Sequence, residues 1–121
     1  MTDDTCLFCK IIHGVIPCFK VLDTEYSLGF MDINPLSRGH CLVIPKEHAV
    51  KIHEVSEPVL VDVLRQVRRV AAALVSATGT QDYNILQNNG AVAGQVINHA
   101  HFHIIPKPNK TEGLSVNMLS I

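Results

Sequence analysis

Five short segments, mostly apolar and bounded by turn-forming residues, predict the β-strands of this chain. They read CFKVLD, SLGFMD, HCLVIP, DYNILQ and HAHFHIIP, at residues 18–23, 27–32, 40–45, 82–87 and 99–106. A turn around residues 23–25 separates the first two segments, and the polar, glycine-bearing stretch NNGAVAGQVIN precedes the last. Short links of this kind favour antiparallel pairing of neighbouring strands.

Between residues 57 and 77 apolar residues recur at spacings of three and four, which is the period of a helix. We expect one long helix that ends at Gly79, with an apolar face formed by Leu60, Leu64, Val67, Ala71 and Leu74. The segment CLFCKIIHG predicts a short helix near the N-terminus, with Gly14 as its C-cap. This order of elements predicts an α+β fold in which helices cover one face of an antiparallel sheet.

The last predicted strand carries His99, His101 and His103 at alternate positions. Because successive side chains of a strand point to opposite faces, the three imidazoles would share one face, with neighbours roughly 6.6–7 Å apart. The intervening apolar residues, Ala100, Phe102 and Ile104, would pack against the long helix.

Three interpretations of these histidines are open from the residues alone. They could be exposed strand residues, although strand propensity gives no reason to select histidine three times. They could hold a metal ion, although no carboxylate is close in sequence to complete a ligand set. They could perform nucleophilic catalysis, because a neutral imidazole attacks phosphorus and neighbouring histidines can donate hydrogen bonds to phosphoryl oxygens.

Length and composition restrict the class of protein. The 121 residues predict one domain, and 47% apolar with 17% charged residues indicates a globular chain. A formal net charge of −1 leaves no basic stripe for direct binding of nucleic acid. No apolar run approaches a membrane span, and MTDDTC lacks the features of a secretory signal. We therefore expect a cytoplasmic protein that does not bind membranes, with entry to the nucleus open.

Four cysteines occur, and Cys6 and Cys9 form a Cys-x-x-Cys pair. Without a secretory context, free thiols or metal ligands are expected rather than disulfides. The pair could be packed thiols, a redox couple or half of a structural zinc site, which needs four ligands.

The chain resembles the histidine triad (HIT) family of nucleotide hydrolases and transferases, specifically its Hint branch, the adenosine 5'-monophosphoramidases. The resemblance lies in HAHFHII and in the stretches CLFCKIIHGVIP, FMDINPLSRGHCLVIPKEH and NILQNNGAVAGQVINHAHFHIIPK. It implies a single HIT domain over residues 1–121, with a core at about 6–107 and a C-terminal tail at 108–121. It also implies a five-stranded antiparallel sheet with two main helices, a homodimer whose sheets join edge to edge, and no catalytic cofactor.

The resemblance further implies hydrolysis of the P–N bond of a purine nucleoside phosphoramidate, such as an AMP-amine or AMP-lysine conjugate. His101 would be the nucleophile that carries the nucleotide, His103 would contact the phosphate and assist the leaving group, and His99 would orient His101. Hydrolysis of dinucleoside polyphosphates is an alternative. A nucleotide-binding scaffold, in which catalysis is secondary, is an alternative of another class.

The implied nucleotide-binding residues come from four parts of the chain. Apolar side chains would hold the purine, a carboxylate the ribose, and a glycine-bearing loop the phosphate; in chain order the residues are Phe8, Ile11, Phe30, Asp32, Ile33, His40, Asn88, Gly94, Gln95 and Val96. The three residues of the purine slot could equally be core, and Asn88 could be a turn former. Val96 departs from the Hint pattern, which commonly has serine there with a hydroxyl that helps the leaving nitrogen.

Some HIT proteins bind zinc through a cysteine pair and two histidines. Carried onto this sequence, the resemblance implies a structural zinc site formed by Cys6, Cys9, His48 and His99.

Overall fold

The computed structural model describes residues 3–116. Its helices and strands are α1 (Leu7–Ile12), β1 (Lys20–Asp23), β2 (Ser27–Met31), β3 (Cys41–Pro45), α2 (Glu57–Thr78), β4 (Tyr83–Leu86) and β5 (Phe102–Pro106). Two single-turn 3₁₀ helices lie at Ile52–Glu54 and Ala91–Ala93. The last part of the predicted tail, residues 117–121, lies outside the described residues. None of the helices in the described range is long and apolar enough to cross a membrane.

The five strands form one antiparallel sheet in the order β1-β2-β3-β5-β4. The predicted α+β fold, with five antiparallel strands and two main helices, is therefore confirmed. Strand β5 lies between β3 and β4, and His103 faces Leu42 and Leu86 in the two registers. His103 is thus held in the interior of the sheet and not at an edge.

The two helices cover opposite faces of the sheet, so the prediction that helices cover a single face was wrong. Helix α2 packs with Cys41 and Val43, whereas α1 packs on the side of Leu42 and Ile44. All five residues of β3 are buried, so both faces of this central strand have to be shielded from water. As predicted, Ala100, Phe102 and Ile104 are buried in the same cluster as α2.

Helix α2 spans nearly the predicted residues and ends at Gly79, whose φ of 70° fits a left-handed C-cap. Its buried face differs from the prediction, because Leu64 is 48% exposed. Asp62 explains the rotation of the helix, since it accepts hydrogen bonds from Thr24 Oγ1 (2.7 Å) and Ser27 Oγ (2.6 Å) on the sheet. Residues two apart on a helix point to nearly opposite sides, so Leu64 faces away. The buried residues are Val59, Val63, Gln66, Val67, Val70 and Ala71.

The last strand begins at Phe102 and not at His99 as predicted. Upstream of it, the Ala100 N–H donates to Ala49 O (2.7 Å) and the His99 N–H donates to Ile97 O (2.9 Å). The backbone therefore joins the ladder only after His101, and the strand does not align the three imidazoles on one face.

Replacing Asp62 with asparagine tests the anchor between α2 and the sheet. Burial alone would raise the pKa of Asp62, but the hydrogen bonds from Ser27, Thr24 and Gln66 outweigh it and lower that pKa. We expect Asp62→Asn to reduce the free energy of unfolding by about 1–3 kcal/mol near neutral pH. Because the folded-state pKa is depressed, this contribution is present above the ordinary value of 3.8 and is lost as the pH falls through the lower, folded-state value.

Urea denaturation of both proteins across this pH range measures the difference. The control is Asp82→Asn, since Asp82 is exposed. An equal loss at every pH would show that the ionised carboxylate is not the stabilising group.

Candidate active site

A cavity of about 410 Å³ opens on the α1 side of the sheet. Its walls come from α1 and the turn after it, from β2 and the following loop, and from the loop before the histidine segment. Ten of the predicted site residues line it: Phe8, Ile11, Phe30, Asp32, Ile33, Asn88, Gly94, Val96, His101 and His103. His40, Gln95 and His99, which were also predicted, do not line it.

One ring nitrogen of His101 is hydrogen-bonded to the main chain, and the other has no hydrogen-bond partner among residues 3–116. Its Nδ1 lies 2.7 Å from the carbonyl oxygen of His99, which can only accept a hydrogen bond, so Nδ1 carries the proton. The lone pair of the neutral ring is therefore on Nε2. Burial lowers the pKa of His101, although the bond to His99 opposes this shift, so the ring is neutral near pH 7. Phe8 supports the ring in an edge-to-face contact, with centroids 5.2 Å apart.

His103 lies beside His101, with ring centroids 4.9 Å apart, and its other neighbour is His40. His40 Nε2 is 3.0 Å from His103 Nδ1 and 3.4 Å from Asp32 Oδ2. His40 is only 2% exposed, so it acts on the cavity through His103 and does not touch a ligand there itself. His40 was grouped with the nucleotide-binding residues, at a position where the family has a further histidine that supports the triad. Its location fits the supporting role and not direct contact with a nucleotide.

Asp32 is fixed at the end of β2 by its own loop. Its Oδ1 accepts the Asn34 N–H at 2.8 Å, and its Oδ2 lies near His40. The carboxylate still lines the cavity, where its remaining lone pairs are available to hydroxyl donors. Ile33 lies at the rim with 81% of its surface exposed.

The loop before the histidines is organised by the side chain of Gln95, which is 4% exposed. Its Oε1 accepts the Gly90 N–H (2.7 Å), and its Nε2 donates to the carbonyls of Val50 (2.7 Å) and Ile97 (3.0 Å). The buried Gln95 side chain thus holds the loop in place by hydrogen bonds to its backbone. It does not line the cavity, so it does not contact a ligand there. Gly94 has a φ of 93°, which favours glycine, and its carbonyl accepts a hydrogen bond from Asn88 Nδ2 (3.3 Å).

His99 is fully buried and points away from the cavity, toward Cys6, Cys9 and His48. Its Nε2–H donates to Pro45 O at 2.8 Å, which leaves the lone pair on Nδ1. That Nδ1 lies 3.3 Å from Cys6 Sγ and 3.2 Å from His48 Nδ1, and the Cys9 Sγ to His48 Nδ1 distance is 3.4 Å. Among the described residues, no group of potential ligands contains all three triad histidines.

The four side chains fit a tetrahedral zinc ion. With Zn–N and Zn–S bonds of about 2.0–2.3 Å, ligand atoms around the ion are about 3.3–3.8 Å apart, close to the distances found here. The Nδ1 of His99 is available as a ligand because Pro45 O accepts a hydrogen bond from Nε2–H, which keeps the proton of the neutral ring on Nε2. Zinc held in this way would be structural, since both thiols are buried and the cavity histidines are not ligands.

Several cavity residues were not predicted from the sequence. The turn after α1 contributes Ile16, Pro17 and Cys18, and other parts of the wall come from Leu7, Met31, Asn34, Leu42, Leu86 and Ile97. These are ordinary apolar or turn residues, and no spacing rule distinguishes them from core. Leu36 was also missed, because it acts through its backbone amide, which donates to His40 Nδ1 at 3.1 Å.

The same arrangement of strands and helices occurs in solved structures of histidine triad proteins. A HIT family protein from Bacillus anthracis superposes with a TM-score of 0.93 and 38% identity, covering 98% of this chain and 84% of that one. A Zn-bound histidine triad family protein from Mycobacterium smegmatis gives a TM-score of 0.81 and 34% identity, covering 87% of this chain and 76% of that one.

Sequence comparison leads to the same family. The HIT domain profile matches residues 13–110, and the chain belongs to the HIT domain family. It is 54% identical to adenosine 5'-monophosphoramidase hnt1 of Schizosaccharomyces pombe, over 93% of this chain and 81% of that protein. It is 46% identical to adenosine 5'-monophosphoramidase HNT1 of Saccharomyces cerevisiae, over 94% of this chain and 70% of that protein.

Replacing Gln95 with glutamate tests how the loop is held. Glutamate keeps an acceptor for Gly90 but loses both donors, and it places a carboxylate beside the carbonyls of Val50 and Ile97. We expect the free energy of unfolding to fall by about 1–3 kcal/mol and the amides of residues 88–98 to exchange faster. Calorimetry and hydrogen exchange measure both effects, with the exposed Gln81→Glu as control. Unchanged exchange in the loop would contradict this role.

Proposed function

We propose that this protein hydrolyses the P–N bond of purine nucleoside phosphoramidates, such as AMP-amine or AMP-lysine conjugates. The observation that carries the proposal is the state of His101, whose Nδ1–H is bonded to a carbonyl while Nε2 keeps its lone pair beside the cavity. The similarity to two adenosine 5'-monophosphoramidases supports the substrate class.

The reaction proceeds in two displacements at phosphorus. His101 Nε2 attacks the α-phosphorus, the P–N bond of the substrate breaks, and a nucleotidyl-histidine forms. Water then attacks the same phosphorus, the bond to Nε2 breaks, and AMP is released. The departing nitrogen takes up one proton in the first step, and the attacking water releases one in the second, so the overall reaction consumes one water. The bond from His101 to the His99 carbonyl orients the ring throughout both steps.

The cavity offers matching chemistry for the rest of the nucleotide. Phe8, Ile11 and Phe30 provide an apolar slot for the purine, and Asp32 is available to the ribose hydroxyls. In the loop at Gly94, the N–H groups of Gly94 and Gln95 donate to Ala91 O and Gly90 O (both 3.0 Å). The Val96 N–H, at the cavity wall, would therefore be the backbone donor to the phosphate.

We also propose that zinc occupies the cluster of Cys6, Cys9, His48 and His99 and fastens α1 to the histidine segment. The first two ligands lie on α1 or at its N-cap, and Phe8 of the same helix contacts the ring of His101. Zinc would therefore stabilise one wall of the cavity without taking part in the chemistry.

A homodimer joined at the sheet edges is part of the proposal. Strand β4 lies at an edge and exposes Tyr83 and Ile85 by 43% and 49%. An unpaired edge with apolar side chains is a site for pairing with a second strand, and pairing two β4 strands would continue the sheet across the dimer.

Substrate turnover and trapping of the intermediate test the proposed activity. We expect adenosine and guanosine phosphoramidates to be hydrolysed faster than diadenosine polyphosphates. His101→Ala should lower kcat by roughly 10³-fold or more, because the nucleophile is removed, while AMP still binds. Mass spectrometry of the quenched reaction should find the nucleotide on His101.

The control for this experiment is His13→Ala, at an exposed histidine outside the cavity. Preference for dinucleoside polyphosphates would favour the second activity. A wild-type protein that binds AMP but turns over none of the panel would favour a scaffold, and an adduct on His103 alone would overturn the role of His101.

Metal analysis of protein purified without added zinc tests the cluster. We expect close to one zinc ion per chain, and Cys6→Ser or His48→Ala should lower this ratio because each removes one of four ligands. Loss of the metal should also speed amide exchange in residues 6–16. Cys18→Ser and His53→Ala, which lie outside the cluster, should retain the metal. A ratio near zero that Cys6→Ser does not change would contradict the zinc site.

A further inference from the structure

We infer that His103 is a neutral hydrogen-bond donor at Nε2 and is not the source of the proton that the leaving group takes up. Its consequence for catalysis rests on the proposed function. Its structural basis is the hydrogen bonding of three residues: Leu36, His40 and His103. None of these contacts involves Cys6, Cys9, His48 or His99.

The tautomer of His40 is set by a backbone amide. The Leu36 N–H donates to His40 Nδ1 at 3.1 Å, so Nδ1 carries a lone pair and no proton. A neutral imidazole must then have its proton on Nε2. The carboxylate of Asp32, whose Oδ2 is 3.4 Å from that Nε2, favours the same tautomer because it can only accept.

The tautomer of His103 follows from that of His40. Nε2 of His40 and Nδ1 of His103 are 3.0 Å apart, a hydrogen-bond distance that has room for one proton between them. Because that proton belongs to His40, Nδ1 of His103 is the acceptor. The single proton of His103 is therefore on Nε2, and this N–H is its donor for a group bound in the cavity that His103 lines.

This arrangement prevents His103 from passing a proton to the leaving group. If His103 lost the Nε2 proton, it would have to receive another at Nδ1 from His40. His40 would then be an imidazolate in a buried site, with the Leu36 N–H still directed at its Nδ1, and burying such a charge is unfavourable. Burial also lowers the pKa of His40, and it lowers that of His103 to about 4 together with the neighbouring His101 and His40, so neither ring holds a spare proton near pH 7.

The loop that carries the Leu36 amide is fastened to the chain that follows β5. The Leu36 carbonyl accepts the Gly113 N–H at 3.1 Å, and Ser37 Oγ donates to Pro106 O at 2.6 Å. The His40 N–H donates in turn to Ser37 O at 3.2 Å. Leu36 and Gly113 are thus positioning residues for His103, although neither touches the cavity.

As a chemical consequence, the group that stabilises charge on the phosphoryl oxygen is not the group that protonates the departing nitrogen. His103 stabilises negative charge on a phosphoryl oxygen by a fixed N–H, as an oxyanion-hole donor does. The proton for the departing nitrogen comes from water, since Val96 has no hydroxyl and His103 cannot release one. His101 Nε2 still forms the bond to phosphorus in the first displacement, and the P–N bond still breaks there.

The first test is structural and independent of turnover. Nitrogen-15 NMR of the wild-type imidazoles near pH 7 should show protons on Nε2 of both His40 and His103, with Nδ1 unprotonated. Leu36→Pro deletes the amide donor and should let His40 populate its other tautomer, whereas Leu36→Ala keeps the amide and should not. An Nδ1-protonated or doubly protonated His103 in the wild type would overturn the inference even if Leu36→Pro fails to fold.

The second test separates donation of a hydrogen bond from transfer of a proton. Glutamine at position 103 offers an oxygen to His40 and an N–H to the cavity, but it cannot transfer a proton. We expect His103→Gln to stay within about tenfold of the wild-type kcat, and His103→Leu to lose roughly 10²–10³-fold. Equal, large losses in both variants would show that His103 is a general acid. If the wild type hydrolyses no phosphoramidate, the proposed function fails, while the NMR result still decides the tautomer.

Discussion

Main-chain groups determine which nitrogen of each active-site histidine carries the proton, and the chemistry depends on this constraint. A neutral imidazole has one donor and one acceptor, so fixing one nitrogen assigns the other. Carbonyl oxygens accept the N–H of two rings, an amide N–H donates to the lone pair of a third ring, and the third ring donates to the fourth. The pairs are Pro45 O with His99, His99 O with His101, Leu36 N–H with His40, and His40 with His103.

Residue His99 joins the two halves of the site. Its carbonyl orients His101, the proposed nucleophile, while its side chain faces the thiols of Cys6 and Cys9. The same short helix presents Phe8 to the rings of both His99 and His101. A metal ion bound by Cys6, Cys9, His48 and His99 would therefore fix both the position of His101 and the apolar wall of the cavity, although it would not lie in the cavity itself.

Much of the fold was predictable because it depends on local patterns. The long helix, its end at Gly79 and the five strands follow from apolar periodicity and turn residues. The rotation of α2 was not predictable, since it depends on Asp62 meeting the hydroxyls of Thr24 and Ser27, far away in sequence. The start of β5 at Phe102 and not at His99 also depends on a residue far away in sequence. The Ala100 N–H donates to Ala49 O and not to a neighbouring strand.

The sequence by itself determined the family, the candidate nucleophile and most of the cavity-lining residues, because residue types at fixed spacing carry that information. The resemblance already gave His99 a different role from His101 and His103. Only the tertiary structure showed that the side chains of His99, His40 and Gln95 do not line the cavity, and only it assigned the proton of each ring. Those outcomes depend on carbonyls and amides, which every residue possesses. A sequence does not distinguish one backbone amide from another, so the role of Leu36 emerges only when the folded chain brings its N–H to His40.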